Sequence, residues 1–140
     1  MIEVTRKYDF SASHRLHCAA FTDAKNKEVF GKCNNPFGHG HNYELFVTAH
    51  GPVDSRSGRA VDPAVLDRLV SESVLAAYRY KNMNLDIPEF LATVPTTENV
   101  ATAIAQRLKN HWAEAFPSGV PVLRKIRIRE TDRNIFELIL

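Results

Sequence analysis

The 140-residue chain is poor in several things, and each shortage narrows the reading. It has 2 cysteines, too few for a disulfide-stapled scaffold, and with no secretory leader in view they are expected to be free thiols. No apolar run approaches the ~18 residues that a membrane span needs. The opening residues, MIEVTRKYDF, alternate apolar and polar side chains, whereas a secretory leader would show a basic patch and then an apolar block. A cytoplasmic location without membrane contact is therefore expected. A net charge of +2 is too small to argue for nucleic acid. Internal repeats, low-complexity tracts and linkers are missing too, so residues 1–140 are read as one domain able to bury its own core.

What is present is strong patterning. Ile2, Val4, Tyr8 and Phe10 fall on even positions, and Tyr43, Leu45, Val47 and Ala49 share the odd face of a second alternating run, so both stretches read as strands. Between them, residues 18–38 read as a long, polar, irregular connection. Asp62-Pro63 has the form of an N-cap with proline at the first helical position, followed by Leu66, Leu69, Val70, Val74 and Ala77 at helical spacing. A second helix starts at TTEN, where Thr96 or Thr97 can cap it, with a stripe of Val100, Ala101, Ile104, Ala105, Leu108 and Trp112. Ile126 and Ile128 mark a third strand, and residues 135–140 a fourth. The order strand-strand-helix-helix-strand-strand implies an α+β fold: an antiparallel sheet with two helices on one face. The other face must meet solvent or another subunit.

The chemistry concentrates in Gly31–Tyr43, GKCNNPFGHGHNY. His39 and His41, at i and i+2, point to one side of a strand and can grip one ion. Gly38 and Gly40 keep side chains from crowding it. His14 closes the neighbouring strand and is the best third ligand. Three histidines with an open fourth position form the pattern of a catalytic zinc. The competing reading is a turn bearing surface histidines. His17, three residues from His14, reads as a surface or supporting residue, and His50 and His111 read as structural. Cys33 stands beside Lys32, whose charge would lower the thiol pKa, as would a nearby metal. A thiolate there can move a proton, attack carbon, or serve as a fourth zinc ligand; the sequence leaves those roles open. Cys18 lacks such a context. The run LRKIRIRETDR, with five basic residues in eleven, reads as a solvated strand face or an anion contact.

Five blocks in order, FSASHRL, GKCNNPFGHGHNY, KNMNLDIPEF, PTTENVA and ETDRN, resemble the 6-pyruvoyl-tetrahydropterin synthase family, which includes the 6-carboxy-tetrahydropterin synthases of queuosine biosynthesis. The resemblance spans nearly the whole chain. It implies the tunnelling fold (T-fold), with three subunits closing a barrel, two trimers stacking into a homohexamer, and active sites between subunits. It implies Zn2+ on His14, His39 and His41, a catalytic cysteine at Cys33, and a pterin-anchoring glutamate at Glu130. Thr96 and Thr97 would help hold the pterin from a neighbouring subunit. The implied substrate is a pterin triphosphate, 7,8-dihydroneopterin triphosphate, and the implied pathway is tetrahydrobiopterin biosynthesis. The Cys33–His39 spacing favours the pyruvoyl branch over the carboxy branch.

One departure stands out. Arg79 and Tyr80 occupy the positions where the family carries the aspartate and histidine of its proton relay. Tyrosine, with a pKa of about 10, donates or relays a proton but is a poor base at neutral pH. Arg79 could depress it or hold phosphate, with Lys81 and Lys32 as further phosphate partners. A pterin-binding homologue without turnover is the alternative from a different class.

Overall fold

The two alternating stretches pair along their whole length in the computed structural model, which describes residues 1–140. Strand β1 (Ile2–His14) runs antiparallel to β2 (His39–Gly51), from Ile2 opposite Gly51 to His14 opposite His39. β2 also pairs antiparallel with β4 (Val122–Arg129), and β4 pairs with β5 (Ile135–Ile139). Strand parity then fixes the core. Tyr43, Leu45, Val47 and Ala49 of β2 are all completely buried, joined by Phe10 and Ala12 of β1 and by Ile126 and Ile128 of β4.

Two helical runs cover that face. Helix α2 (Pro63–Val70) starts as expected: Ala64 donates its N–H to Asp62 Oδ1 at 3.0 Å, and Pro63 stands at the first position. It continues through a π-helical turn, Ser71–Leu75, into α3 (Ala76–Tyr78). The long α5 (Thr97–Ala115) is capped by Thr96, whose Oγ1 accepts from the Asn99 N–H at 3.3 Å. Leu66, Val70, Val74, Val100, Ile104 and Leu108 are fully buried against the sheet.

The opposite face is polar. Lys7 and Arg129 meet Glu44 at 3.4 and 3.6 Å, Lys125 meets Glu137 at 3.7 Å, and the Arg127 guanidinium lies 5.2 Å from the Phe46 ring centroid. No helix is long and apolar enough to cross a membrane.

Two expectations are corrected. The connection read as irregular contains helix α1 (Asp23–Phe30), capped by Thr22, whose Oγ1 accepts from the Lys25 N–H. Its only buried residue is Asn26, which is bonded to Cys18 N and O and to Thr22 O, so no apolar stripe announces it. The sheet is also mixed. A two-residue strand β3 (Lys81–Asn82) runs parallel to β1 at Ala12 and Ser13, giving the order β3-β1-β2-β4-β5. A short helix α4 (Met83–Asp86) follows, its N-terminal N–H groups capped by Asn82.

Sheet and helices are tied by a charged cluster. Arg6 donates to both Asp67 oxygens, at 3.0 and 2.6 Å, and the Tyr8 hydroxyl donates to Oδ1 at 2.7 Å. The Arg6 hydrogen bond is the main cause holding Asp67 below the ordinary carboxylate range. A depressed folded-state pKa contributes stability above the unfolded value, about 3.9, and loses it as pH falls through the folded value. Asp67→Asn is therefore expected to lower the urea midpoint at pH 7 and to lose that deficit near pH 2. An equal deficit at both pH values would show that the Asp67 charge contributes nothing to stability.

Candidate active site and metal centre

The pairing of β1 with β2 places three imidazoles on the core side of one sheet end. His14 and His39 are direct partners and His41 lies opposite Ala12, so all three emerge on the side that the helices cover. Their ligand nitrogens lie within 4.8 Å of one another. The His14 Nδ1–H donates to the Pro95 carbonyl at 2.8 Å, which leaves Nε2 with its lone pair facing the other two rings. Nε2 of His14 and Nε2 of His39 are 3.2 Å apart, close to the roughly 3.3 Å between two ligands of a tetrahedral zinc at ~2.05 Å. His41 Nε2 is buried and has no hydrogen-bond partner. An unpaired buried nitrogen and two converging lone pairs fit a cation. Burial, the leading cause in both cases, lowers the pKa of His14 and of His39, which favours the neutral form that binds metal.

The loop before His39 is built for this geometry. Gly38 has φ of 68°, and a Cβ there would stand 2.7 Å from the His14 carbonyl oxygen. Its role is therefore close backbone packing. At Gly40 an added Cβ would meet only the Ala12 carbonyl, at an ordinary 3.6 Å. Neither glycine needs the expected explanation of sparing the metal from crowding. Gly38→Ala is expected to displace the His14 backbone and cost at least about tenfold in metal affinity, as changes to ligand-orienting groups do. Competition against a chromophoric chelator measures it; wild-type affinity would mean that the close approach of Gly38 does not place His14.

Cys33 lies in a 3₁₀ turn (Gly31–Asn34) zipped to the end of β1. The Leu16 N–H donates to the Cys33 carbonyl at 2.8 Å, and Asn34 Nδ2 donates to Leu16 O at 2.8 Å and to His17 Nδ1 at 2.9 Å. His17 is thus a supporting residue of that zipper. The thiol pKa departs from expectation: burial and then the charge of Glu130 push it up, outweighing Lys32, which pulls it down.

Glu130 follows β4 and turns into the same site. Its Oε2 accepts a hydrogen bond from Thr97 Oγ1, and its Oε1 lies 3.9 Å from His41 Nε2. Thr97 is 3% exposed, so this contact is internal to one chain; the expectation that it comes from a neighbouring subunit is not needed for it to reach Glu130. Thr96 is occupied as the helix cap. The fully buried Tyr43 packs between the rings of Phe10 and His41, so a residue whose strand parity marks it only as core also walls the histidine centre. Nothing in the sequence could single out the Pro95 carbonyl, since every residue has one.

Arg79 and Tyr80 lie elsewhere. They sit at the outer edge of β1, where Arg79 Nη2 donates to the Asp9 carbonyl at 3.2 Å and the Tyr80 N–H to the Ser11 carbonyl at 2.7 Å. Tyr80 is 87% exposed with φ of 58°, and a cavity of about 390 Å³ opens between this pair and Asp9, Ser11 and Asn42. No hydrogen bond or ion pair joins either residue to Cys33, Glu130 or the histidines of the same chain. Lys81 shares their edge in β3, whereas the Lys32 charge reaches Cys33 and His39.

Fold and site together define an α+β T-fold domain with a three-histidine centre next to a cysteine and a carboxylate. The family model described as 6-pyruvoyl tetrahydropterin synthase matches residues 3–139, and the chain belongs to that family. It is 43% identical over 133 residues to the human protein named 6-pyruvoyl tetrahydrobiopterin synthase, covering 95% of this chain and 88% of the human one. The Drosophila melanogaster protein of the same name is 38% identical over 132 residues, covering 94% and 76%. The solved structure of Caenorhabditis elegans 6-pyruvoyl tetrahydropterin synthase superposes with a TM-score of 0.90 at 43% identity, covering 99% of this chain and 94% of that one. The Plasmodium falciparum structure, at 15% identity and a TM-score of 0.68, shares the fold.

Proposed function

We propose that the protein is a zinc-dependent lyase that converts 7,8-dihydroneopterin triphosphate, with loss of triphosphate, to 6-pyruvoyl-tetrahydropterin, in the cytoplasm. The observation that carries this reading is the meeting of His14, His39 and His41 with Glu130 and Thr97 at one sheet end, next to the turn that holds Cys33. The names of the relatives support the substrate class. Zinc, held by the three histidines, would supply Lewis acidity to the substrate's side-chain hydroxyls and make the adjacent C–H protons easier to remove.

The chain's own residues supply the rest. Glu130 can accept paired N–H donors from the amino-pyrimidine edge of the pterin. Thr97 holds one of its oxygens in place, and Thr96 fixes the start of the helix that carries Thr97. Cys33, once deprotonated, takes the carbon-bound proton at Sγ. Burial and the Glu130 charge raise the thiol pKa in the metal-free chain, and bound zinc would lower it; Tyr80 is assigned the onward relay of that proton, with Arg79 beside it. Both come from another copy, since within one chain they face outward at the β1 edge. This is the physical case for sites shared between copies of the chain, and a homohexamer, a dimer of trimers, is the assembly proposed for it. Lys32, Arg79 and Lys81 are the cations available to the triphosphate.

The test is to incubate metal-loaded protein with 7,8-dihydroneopterin triphosphate, follow triphosphate release and identify the pterin by mass. Triphosphate with a pyruvoyl product is expected. A carboxy product with acetaldehyde would move the chain to the 6-carboxy branch. Bound pterin without release would leave a binding protein and overturn the lyase reading.

A further inference from the structure

We propose that Arg107, on the flank of α5 that meets the π-helical turn, is a positioning residue that sets the place of Tyr80 through a clamp on the helix end before it; this rests on the reading of Tyr80 as a relay. The Arg107 guanidinium bridges α5 to three other segments. Its Nε and Nη2 donate to Glu89 Oε2 and Oε1 at 2.5 and 2.8 Å, a two-pronged pair. Its Nη1 donates to the Ser73 carbonyl at 3.4 Å, inside the π-helical turn. Its carbon lies 5.8 Å from the Tyr78 ring centroid, within cation–π range.

Tyr78 is the last residue of α3 and is completely buried. Its hydroxyl has no hydrogen-bond partner, so the ring is held by the groups packed on it: Arg107, Phe10 at 5.5 Å and Phe90 at 6.5 Å. A π-helical turn accommodates one residue more than an α-turn and so rotates everything after it. Here the turn leads to Tyr78, then to Arg79, where the backbone becomes extended, then to Tyr80 in the left-handed region. A tyrosine holds that backbone conformation only where its surroundings fix it. The Ser11 carbonyl holds it from the strand side. Arg107 and Glu89 hold it from the helix side, by locking the π-helical turn and the Tyr78 ring.

The clamp predicts coupling between Arg107 and Tyr80. Arg107→Leu is expected to lower kcat for triphosphate release about tenfold through the misplaced relay and to leave metal affinity unchanged, and any rise in KM would report the displaced neighbours Arg79 and Lys81. In a Tyr80→Phe background the same change is expected to have no further effect on kcat. A 3-fluorotyrosine placed at position 80 should give one sharp fluorine resonance in the parent and a shifted or broadened one in Arg107→Leu. Glu89→Gln, which keeps the shape and removes the charge, should reproduce both effects more weakly. Equal losses with and without the Tyr80 hydroxyl, or an unchanged fluorine signal in both variants, would overturn the proposal. If Tyr80→Phe itself turned over normally, the relay assignment would fall, and the fluorine signal would still decide whether Arg107 places that residue.

Discussion

Replacing His41 with alanine is expected to abolish tight metal binding and to lower triphosphate release by about a thousandfold or more. The magnitude follows from the several kcal/mol that a Lewis acid contributes to such a transition state; about 4 kcal/mol is about three powers of ten. The metal-free protein should lose only the packing of the His41 ring against His14, His39 and Tyr43. His41 Nε2 is buried without a hydrogen-bond partner, so truncation removes no internal bond at that atom. His14→Ala should behave differently: His14 is 1% exposed and donates to the Pro95 carbonyl, so its loss should also cost about 1–3 kcal/mol of metal-free stability. Metal titration with urea unfolding separates the two. Wild-type metal affinity in His41→Ala would remove that residue from the centre.

Cys33→Ala is expected to cut triphosphate release by roughly 10²–10⁴-fold, the range for losing a positioned proton acceptor, and to leave metal affinity unchanged. The two halves of that expectation discriminate between roles. A thiolate that completed a four-coordinate structural site would take metal affinity with it when removed. The raised thiol pKa has a definite cause in burial and the nearby Glu130 charge, and Glu130→Gln should therefore let the Cys33 thiol ionise more readily. Thiol alkylation rate against pH measures that; an unchanged profile would remove the Glu130 charge as a cause.

The histidine centre was legible because it depends on strand parity. His39 and His41 share a face for the same reason that Tyr43 and Leu45 do, and His14 arrives beside them through the β1–β2 register. The main helices were legible through their apolar stripes and caps. Helix α1 was not, because its one buried side chain is an asparagine, a residue that ordinarily marks a turn. The parallel β3 was not, because two residues carry no period. The Thr97–Glu130 contact joins residues 33 apart, a pairing that only the packing of α5 against β4 creates. The outward placement of Arg79 and Tyr80 follows from a π-helical turn and a left-handed tyrosine, and neither has a signature in residue type. Local pattern thus fixed the metal end of the site, while tertiary packing decided which side chains could accompany it.

The absorption spectrum of the cobalt(II)-substituted protein bears most directly on the central claim of three histidine ligands with Cys33 left free for chemistry. One cobalt per chain in a site without a sulfur-to-cobalt charge-transfer band, the same in Cys33→Ala, is the predicted result. An intense thiolate band that disappears in Cys33→Ala would make Cys33 a ligand and the centre structural, contradicting that claim.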